Sequence, residues 1–279
     1  MDRYAVIGNP IKQSLSPVIH TAFAQQTGQQ LEYGKLFAEV DGFKDVVDAF
    51  FAAGAKGLNI TAPFKLDAFE YADTLSERAR TAGAVNTLAL QGDGRLLGDN
   101  TDGPGLVSDI RNHLGWSIKG KKLLVLGAGG ATRGTLLPLL KEQPALLHIA
   151  NRTAAKAEQL ADDFSAHGSL TASGLEDIPA GFDLIINASA AGLSGERPQI
   201  AEVVVGQGGC AYDMVYGAEP TPFMRWAADL GAQTADGLGM LVGQAAEAFY
   251  LWRGVRPQVE PVLEMLRGEL RKKLAATAK

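Results

Sequence analysis

The run 121–134, KKLLVLGAGGATRG, contains residue types that could bind a phosphate group. It reads as an apolar strand, a glycine turn and the start of a helix. Glycines leave no Cβ, so backbone N–H groups can approach a pyrophosphate, and the positive end of the helix dipole faces the same point. Because Thr132 replaces the third glycine of the dinucleotide fingerprint, the turn alone fits close helix–strand packing equally well.

The segment NRTAAK at 151–156 indicates which dinucleotide such a turn would hold. It follows the next predicted strand, ALLHIAN. An NAD enzyme normally presents Asp or Glu to the adenosine ribose here, whereas this chain presents Asn151, Arg152 and Thr153. A guanidinium beside a hydroxyl and an amide suits a 2′-phosphate. The sequence therefore favours NADP over NAD.

Three cations occupy predicted helix starts, where the helix dipole disfavours positive charge. Arg133 and Lys156 fall in the first turns of the two helices just described, with Thr153 as the expected N-cap of the second. Lys65 follows Pro63, which suits a first helical position. First turns prefer Asp and Glu by roughly a few tenths to 1 kcal/mol, a penalty that exposed cations tolerate. Three such cases beside candidate anion or reaction sites favour a functional role.

Three further segments near the amino end combine polar residues with predicted helix starts. They are NITAPFK at 59–65, GDNTDG at 98–103 and SLSP at 14–17. Each has a structural alternative, because Lys65 can be a solvated junction residue, while Asp102 and Ser16 can cap helices that begin with proline nearby. Two hydroxyls, Ser14 and Ser16, at one positive helix end would also receive a carboxylate.

Composition bounds the remaining possibilities. The 279 residues are 46% hydrophobic, which allows a large core and two domains. A net charge of −5 and a pI near 5.4 give no basic field for nucleic acid or anionic membranes. Cys210 is the only cysteine and the four histidines show no paired ligand spacing, so we expect no intramolecular disulfide, no metal site and a reducing compartment. With no signal-like or membrane-spanning segment, the sequence predicts a cytoplasmic protein.

Short apolar runs alternate with helical patterns along the chain, which is typical of parallel α/β units. The first unit has the strands YAVIG, LEYGKLFAEV, GLNIT and AVNTLAL, with the helices VIHTAFAQQ and VVDAFFAAG between them. From Asp102 the order restarts with a helix and the strands LLVLG, LLHIA, DLIINAS and CAYDMVY. The end of the chain, about 238–279, is predicted to be helical, with a break at 254–257 and an amphipathic outer helix.

Together these segments resemble the shikimate dehydrogenase family over nearly the whole chain. The matching pieces are AVIGNPIKQSLSP, NITAPFK, GAVNTL, GDNTDG, GAGGATRG, NRT, NASAAG, YDMVYG and DGLGMLVGQAAEAF, all in family order. The resemblance implies an α/β fold of two domains. One is a substrate-binding α/β domain at 1–101, completed by C-terminal helices at 239–279, and the other is a Rossmann-like NADP-binding domain at 102–238. The implied reaction is the reversible reduction of 3-dehydroshikimate to shikimate by NADPH, in the shikimate pathway of aromatic amino-acid biosynthesis.

The resemblance also assigns roles to individual residues. It implies that Lys65 and Asp102 are catalytic. The residues that it implies contact the substrate are Ser14, Ser16, Thr61, Asn86, Asp102, Tyr216 and Gln244. Those that it implies contact NADP(H) are Glu77, Gly127, Ala128, Gly129, Gly130, Ala131, Asn151, Arg152, Thr153, Lys156, Met214 and Gly237. Without the family, Gln244 could equally be a polar helix residue, and Met214 and Tyr216 could serve packing.

The chemistry of ketone reduction gives a role to a lysine and to an aspartate beside it. Hydride delivery to a ketone leaves a developing alkoxide, which needs a proton donor within hydrogen-bond reach. A lysine is almost fully protonated at neutral pH and can donate in the reductive direction. The nicotinamide supplies the hydride, so the protein orients and protonates. We therefore expect Lys65 to donate the proton and an ionised Asp102 to position its ammonium.

Two alternative functions stay open at this point. A quinate/shikimate dehydrogenase that uses NAD is disfavoured by Arg152 and the paired serines, and a catalytically silent NADP-binding regulator is disfavoured by the presence of both Lys65 and Asp102. No Tyr is followed four positions later by Lys, which argues against the short-chain dehydrogenase dyad. The expected partners are small molecules, with neither nucleic acid nor membrane, and the protein is expected to be a monomer or homodimer.

Overall fold

The computed structural model describes residues 1–189 and 195–277, and its internal contacts divide the chain into two units. Unit 1 comprises Met1–Gly105 and Val242–Val262, and unit 2 comprises Leu106–Leu241 and the chain from Leu263 onwards. These boundaries fall close to those predicted at 101/102 and 238/239. Most of the last helix, from Leu263 onwards, belongs to unit 2 rather than to the first unit. Its Arg267 forms a bidentate ion pair with Asp236 of the same unit. The functional domain limits stay a prediction.

The helices and strands alternate along most of the chain. Up to residue 108 they are β1 (Asp2–Gly8), α1 (Ser16–Thr27), β2 (Leu31–Phe37), α2 (Phe43–Ala52), β3 (Gly57–Ile60), α3 (Lys65–Tyr71), β4 (Thr74–Leu75), α4 (Glu77–Ala82), β5 (Thr87–Leu90), β6 (Leu96–Asp99) and α5 (Asp102–Ser108). Beyond a π-helical turn at Asp109–His113 they are β7 (Lys122–Leu126), α6 (Gly130–Lys141), β8 (Leu146–Ala150), α7 (Ala154–Phe164), β9 (Leu170–Ser173), β10 (Phe182–Asn187), β11 (Val205–Asp213), α8 (Pro222–Asp229), β12 (Gln233–Asp236), α9 (Leu238–Arg253) and α10 (Glu260–Thr277).

The sheet of unit 1 is mixed rather than parallel, with the strand order β2-β1-β3-β5-β6-β4. β1 pairs in parallel with β2 and β3, whereas β5 is antiparallel to both β3 and β6. The sequence pattern missed β4 and β6, which are only two and four residues long. As a result, Gly98 and Asp99 of the GDNTDG segment end a strand instead of lying in a loop. The ends of β1, β3 and β6 and the start of β5 share one edge of the sheet.

The core of unit 1 forms because α2 has apolar residues at helical spacing. Phe43, Val47 and Phe50 recur at intervals of four and three residues and are buried on one face of the helix. They pack in one cluster with Leu58 of β3 and Phe64, the residue before α3. This packing fixes the junction at which Lys65 begins its helix.

Unit 2 contains a six-stranded sheet in which all pairings are parallel, with the order β12-β11-β10-β7-β8-β9. The central strand β7 is buried from Leu123 to Leu126, as its continuous apolar run predicts. The strands β9 and β12, at the two edges, were not predicted, because short and partly exposed strands lack a clear apolar pattern. The chain order reverses between β7 and β10, which defines the switch point of a doubly wound sheet.

Two general features of the described part of the chain bear on function. No helix within residues 1–189 and 195–277 combines the length and the apolar character that crossing a bilayer requires. In the same residues, no group of three or more His, Cys, Asp or Glu side chains is arranged to hold a metal ion.

Candidate functional site

An ion pair joins two helix starts at one edge of the unit 1 sheet. Lys65 is the first residue of α3, which follows β3, and Asp102 is the first residue of α5, which follows β6. The Lys65 Nζ lies 2.5 Å from the Asp102 Oδ2, and the two side chains are 27% and 12% exposed. The pair is therefore mostly removed from water, while the lysine side chain stays partly exposed.

The helix starts differ from those expected from capping residues. Pro63 lies in the turn before α3 rather than at its first position, and Phe64 is the N-cap. Ser16 is the first residue of α1, so the expectation that it is the N-cap is wrong: that position is Leu15, which makes no side-chain cap hydrogen bond. Asp102 likewise begins α5 instead of preceding it. These side chains are thus one position too far into the helix to act as N-caps.

Asn86 connects Asp102 to the rest of the cluster. Its Nδ2 donates to the Asp102 Oδ1 at 2.8 Å and to the Thr101 Oγ1 at 3.0 Å. The backbone N–H of Thr101 donates in return to the Asn86 Oδ1 at 2.9 Å. These bonds fix which end of the amide faces Asp102. Thr101, which the sequence reasoning did not single out, holds this amide in place together with Thr87, whose hydroxyl donates to the Asn86 Oδ1 at 2.9 Å.

Gln244 reaches the same cluster through a close approach of α5 and α9. A Cβ on Gly105 would lie 2.5 Å from the backbone nitrogen of Gln244, so only glycine allows this contact. The Thr101 hydroxyl lies 3.4 Å from the Gln244 Oε1 and donates to it. The structure therefore brings together four predicted site residues, Lys65, Asp102, Asn86 and Gln244.

A second, partly buried ion pair supports the loop that carries Asp102. Arg78 donates to both carboxylate oxygens of Asp99, at 2.7 and 2.6 Å. Burial acts to raise the pKa of Asp99, but the charge and hydrogen bonds of Arg78, together with hydrogen bonds from Ser76 and the backbone of Asn100, leave it below its usual value. The next residue, Asn100, accepts from the backbone N–H of Asp102 at 3.2 Å. The crowding of acids and amides in GDNTDG signalled this loop, but nothing local identified Arg78 as its partner.

The two serines of the SLSP segment contact each other. The Ser14 Oγ lies 3.2 Å from the Ser16 Oγ and accepts from the backbone N–H of Ser16 at 3.3 Å. Ser16 is buried and Ser14 is half-buried. Among the described residues, no direct hydrogen bond links either serine to Lys65 or Asp102. Two hydroxyls at one helix start are an arrangement that can receive a carboxylate.

Thr61 and Glu77 lie elsewhere in unit 1. Thr61 follows β3, and its backbone N–H donates to the Ile7 carbonyl of β1 at 3.0 Å. A Cβ on Gly8 would lie 2.4 Å from the Thr61 Cγ2, so the glycine leaves room for the threonine side chain. Glu77 is exposed at the first position of α4, after the N-cap Ser76.

The glycine turn of unit 2 lies between β7 and α6. Gly127 has a φ of +107°, and a Cβ there would lie 3.2 Å from the Ala188 carbonyl carbon. Gly129 and Gly130 are exposed, and no atom of the described residues lies within 4 Å of where a Cβ would be. The helix α6 begins at Gly130, with no side-chain cap among these residues. Thr132 is buried and donates to the Gly127 carbonyl at 2.8 Å. The threonine that replaces the third glycine therefore ties the helix to the turn.

This turn satisfies the geometric requirements of a pyrophosphate site. It follows β7 at the switch point of the sheet, where ligands of doubly wound folds bind. Within residues 1–189 and 195–277, no side chain caps the N–H groups at the start of α6. An anion placed there would satisfy these donors and meet the positive end of a twelve-residue helix. The motif NASAAG follows β10 at the same point, and its residues 190–192 lie outside the described residues.

The residues predicted to contact the 2′-phosphate form the turn between β8 and α7. Arg152, Thr153 and Lys156 are exposed, and the Asn151 Nδ2 donates to the Thr153 carbonyl at 3.0 Å. Thr153 is the N-cap of α7 as predicted, although its side chain makes no capping hydrogen bond. Neither Arg152 nor Lys156 forms an ion pair within residues 1–189 and 195–277. Their charges can therefore meet an external anion.

Arg133 differs from these two cations. Its Nη1 lies 2.7 Å from the Asp163 carboxylate, and its guanidinium stands 5.7 Å from the centre of the Phe164 ring. Its position in the first turn of α6 is thus explained by contacts with α7. A functional role at an anion site is therefore not needed to explain the position of Arg133, unlike those of Lys65 and Lys156.

Met214 and Gly237 are in direct contact, beyond the ends of β11 and β12. A Cβ on Gly237 would lie 2.1 Å from the Met214 carbonyl oxygen, and the Gly237 N–H donates to the Val215 carbonyl at 3.3 Å. Tyr216 follows on the same segment and is half-buried. Burial, together with the charge of Asp236, raises the pKa of Tyr216. The three residues thus belong to one loop region of unit 2.

Family models match three stretches of the chain. They are the shikimate dehydrogenase substrate binding domain over residues 6–88, the shikimate / quinate 5-dehydrogenase model over residues 109–195, and the shikimate 5′-dehydrogenase C-terminal domain over residues 237–267. Together they cover most of both units.

Individual relatives match over nearly the full length. A shikimate dehydrogenase (NADP(+)) from Cellvibrio japonicus is 57% identical over 274 residues, covering 98% of this chain and 99% of the relative. The crystal structure of an Ael1 enzyme from Pseudomonas putida superposes with a TM-score of 0.91 at 48% identity, covering 95% of this chain and 98% of the other. Shikimate 5-dehydrogenase from Thermus thermophilus, solved in complex with NADP(H) and shikimate, gives a TM-score of 0.85 at 34% identity, with coverages of 95% and 98%.

Proposed function

The chain belongs to the shikimate dehydrogenase family, and we propose that it catalyses the reversible, NADPH-dependent reduction of 3-dehydroshikimate to shikimate in the shikimate pathway. The observation that carries this proposal is the ion pair of Lys65 and Asp102, surrounded by amide and hydroxyl groups. A hydroxylated cyclohexene ring offers several donors and acceptors to such a cluster. A silent regulator would have no need of a proton donor held in this way.

Proton transfer is the part of the reaction that this chain's own residues perform. NADPH, when bound, supplies the hydride to the carbonyl carbon. The Lys65 ammonium donates a proton to the oxygen as the alkoxide develops, and the Asp102 carboxylate holds that ammonium in place. In the oxidative direction, neutral Lys65 accepts the proton of the ring hydroxyl. Because its side chain is 27% exposed, it can exchange protons with water between turnovers.

Substrate orientation is the second contribution of unit 1 in this proposal. Ser14 and Ser16 bind the carboxylate with their hydroxyls. The residues of unit 1 that contact the ring hydroxyls are Thr61, Asn86, Asp102 and Gln244. Tyr216 of unit 2 is a further proposed substrate contact. Binding groups that can act at two ends of the ring orient the carbonyl carbon for hydride transfer.

Unit 2 is the proposed NADP-binding unit. The turn from Gly127 to Ala131 holds the pyrophosphate on backbone N–H groups, and Arg152 with Lys156 neutralises the 2′-phosphate. Met214, Gly237 and Glu77 are the remaining proposed cofactor contacts. We also propose a cytoplasmic location, neither nucleic acid nor membrane as partner, and a monomer or homodimer.

A matrix of cofactors and substrates tests the proposed function. Purified protein is given NADP or NAD with shikimate or quinate, and reduced cofactor is followed by absorbance. We expect the highest kcat/KM for NADP with shikimate. Faster turnover of quinate with NAD would establish the other family activity, and tight NADPH binding without turnover of any pair would establish a regulator.

A further inference from the structure

A buried tyrosine bridges the end of β11 and the start of α9 in unit 2. The Tyr212 hydroxyl donates to the Asp109 Oδ2 at 2.6 Å, and the backbone N–H of Met240 donates to the same hydroxyl at 3.2 Å. Tyr212 is fully buried and Asp109 is 5% exposed. Because the hydroxyl proton points at Asp109, its lone pair is directed at the first turn of α9.

The start of α9 is held at two further points. The Asp236 Oδ1 accepts from the backbone N–H of Leu238 at 3.2 Å, and Asp236 is itself held by a bidentate contact with Arg267. Gly239 packs so closely on Asp109 that a Cβ at this position would lie 2.0 Å from the carboxylate Oδ1. That oxygen is buried and has no hydrogen-bond partner within the described residues. Burying an unpaired carboxylate oxygen costs stability, which indicates that the contact between Gly239 and Asp109 has a role beyond packing.

The two segments that Tyr212 bridges are those that carry Met214 and Gly237. Met214 lies two residues after Tyr212, and Gly237 lies three residues before Met240. Gly237 in turn packs on the Met214 carbonyl. The parallel pairing of β11 with β12 ends at Asp213 and Asp236, one residue before Met214 and Gly237. Beyond that pairing, the Tyr212 hydrogen bonds and the Gly237 contact hold these two proposed cofactor contacts together.

We propose that Tyr212 and Asp109 are positioning residues for NADPH, which act by holding the start of α9, and with it the spacing of Met214 and Gly237 beyond the paired strands, without touching the cofactor. The proposal rests on the proposed function, since it assumes that NADPH binds in unit 2. Burial raises the pKa of Asp109 above its usual value, while the hydrogen bond that it accepts from Tyr212 acts in the opposite direction.

The test compares Tyr212→Phe with Tyr71→Phe by titrating NADPH fluorescence, without substrate. Tyr71 is a matched control, because its hydroxyl also donates to an aspartate, Asp48, at 2.6 Å, but it lies in unit 1 between α2 and α3. We expect Tyr212→Phe to raise the Kd for NADPH roughly three- to tenfold, the factor that corresponds to one ordinary neutral hydrogen bond. Tyr71→Phe is expected to leave the Kd unchanged.

Two further variants separate positioning from general stability. Asp109→Asn keeps an acceptor for Tyr212 and is expected to retain the wild-type Kd, whereas Gly239→Ala should weaken NADPH binding by displacing the start of α9. Thermal melts of the apoprotein run in parallel. A lower Tm for Tyr212→Phe with an unchanged Kd for NADPH would overturn the proposal. If the wild-type protein itself bound no NADPH, the proposed function would fail instead.

Discussion

Removing the charge of Asp102 tests whether Lys65 and Asp102 act as one unit. In the wild type, the Asp102 Oδ2 lies 2.5 Å from the Lys65 Nζ and the Oδ1 lies 2.8 Å from the Asn86 Nδ2. In Asp102→Asn, one atom of the new amide faces the Lys65 ammonium and the other faces the Asn86 Nδ2. Both neighbours are donors, and a side-chain amide has only one acceptor oxygen. The variant can therefore keep one of the two hydrogen bonds, and in either case it loses the ion pair.

The size of the effect follows from these contacts. A hydrogen bond to a charged group contributes roughly 1.5–3 kcal/mol, which converts to roughly a 10- to 150-fold loss of kcat if the bond acts on the transition state. Lys65→Ala removes the proton donor itself, and kcat is expected to fall by roughly 10²–10⁴. Residues that act together are non-additive, so Lys65→Ala/Asp102→Ala should be little worse than the poorer single variant.

The assay is the initial rate of NADPH oxidation with 3-dehydroshikimate, with NADPH binding measured separately to show that the fold is retained. The pair Lys44–Asp48 provides a control, because it is an ion pair of 2.6 Å on the exposed face of α2, and Lys44→Ala should leave kcat unchanged. Near-normal turnover of Asp102→Asn, or losses that simply multiply in the double variant, would refute the single-unit reasoning.

Three other predictions follow from the same structure. Arg152→Ala should raise the KM for NADPH and leave NADH turnover nearly unchanged, whereas equal weakening of both cofactors would make Arg152 structural. Ser14→Ala and Ser16→Ala should each weaken shikimate binding more than NADP binding in calorimetric titrations, and unchanged shikimate affinity in both would remove the carboxylate assignment. Burial lowers the pKa of His20 to about 3. Neutral His20 therefore contributes fully to the free energy of unfolding above the unfolded-state pKa of about 6.5. Below that pH, the contribution falls by up to about 1.4 kcal/mol per pH unit. The free energy of unfolding, measured by urea denaturation, should therefore fall less between pH 7 and pH 5 for His20→Leu than for the wild type. Equal decreases in the two proteins would contradict this.

The sequence was most informative where structure is local. The apolar run of β7, the glycine turn and the cation-bearing segment after β8 all lie within residues 122–156, and they occupy the positions expected of them. The helix starts at Ser16 and Asp102 were misplaced by one residue, because an N-cap is defined by backbone dihedral angles that composition does not determine.

Contacts between distant segments were beyond the sequence pattern. The Arg78–Asp99 pair depends on β6, which has only four residues. No local sequence pattern predicts that β6 pairs with β5. Thr101 lies inside a motif that was identified, yet its contact with Asn86, fifteen positions earlier, comes from the sheet. Arg133 was assigned to an anion site from its place in a helix, and the structure pairs it with Asp163. The roles of individual site residues remain predictions.

The transfer of hydride itself provides the most direct test of the proposed activity. The protein is incubated with 3-dehydroshikimate and NADPH that carries deuterium at the transferred position of the nicotinamide, and the product is examined by mass spectrometry and NMR. The account predicts shikimate with a single deuterium on the carbon that carried the ketone. Oxidation of NADPH without deuterated shikimate, or no oxidation despite bound cofactor, would contradict it.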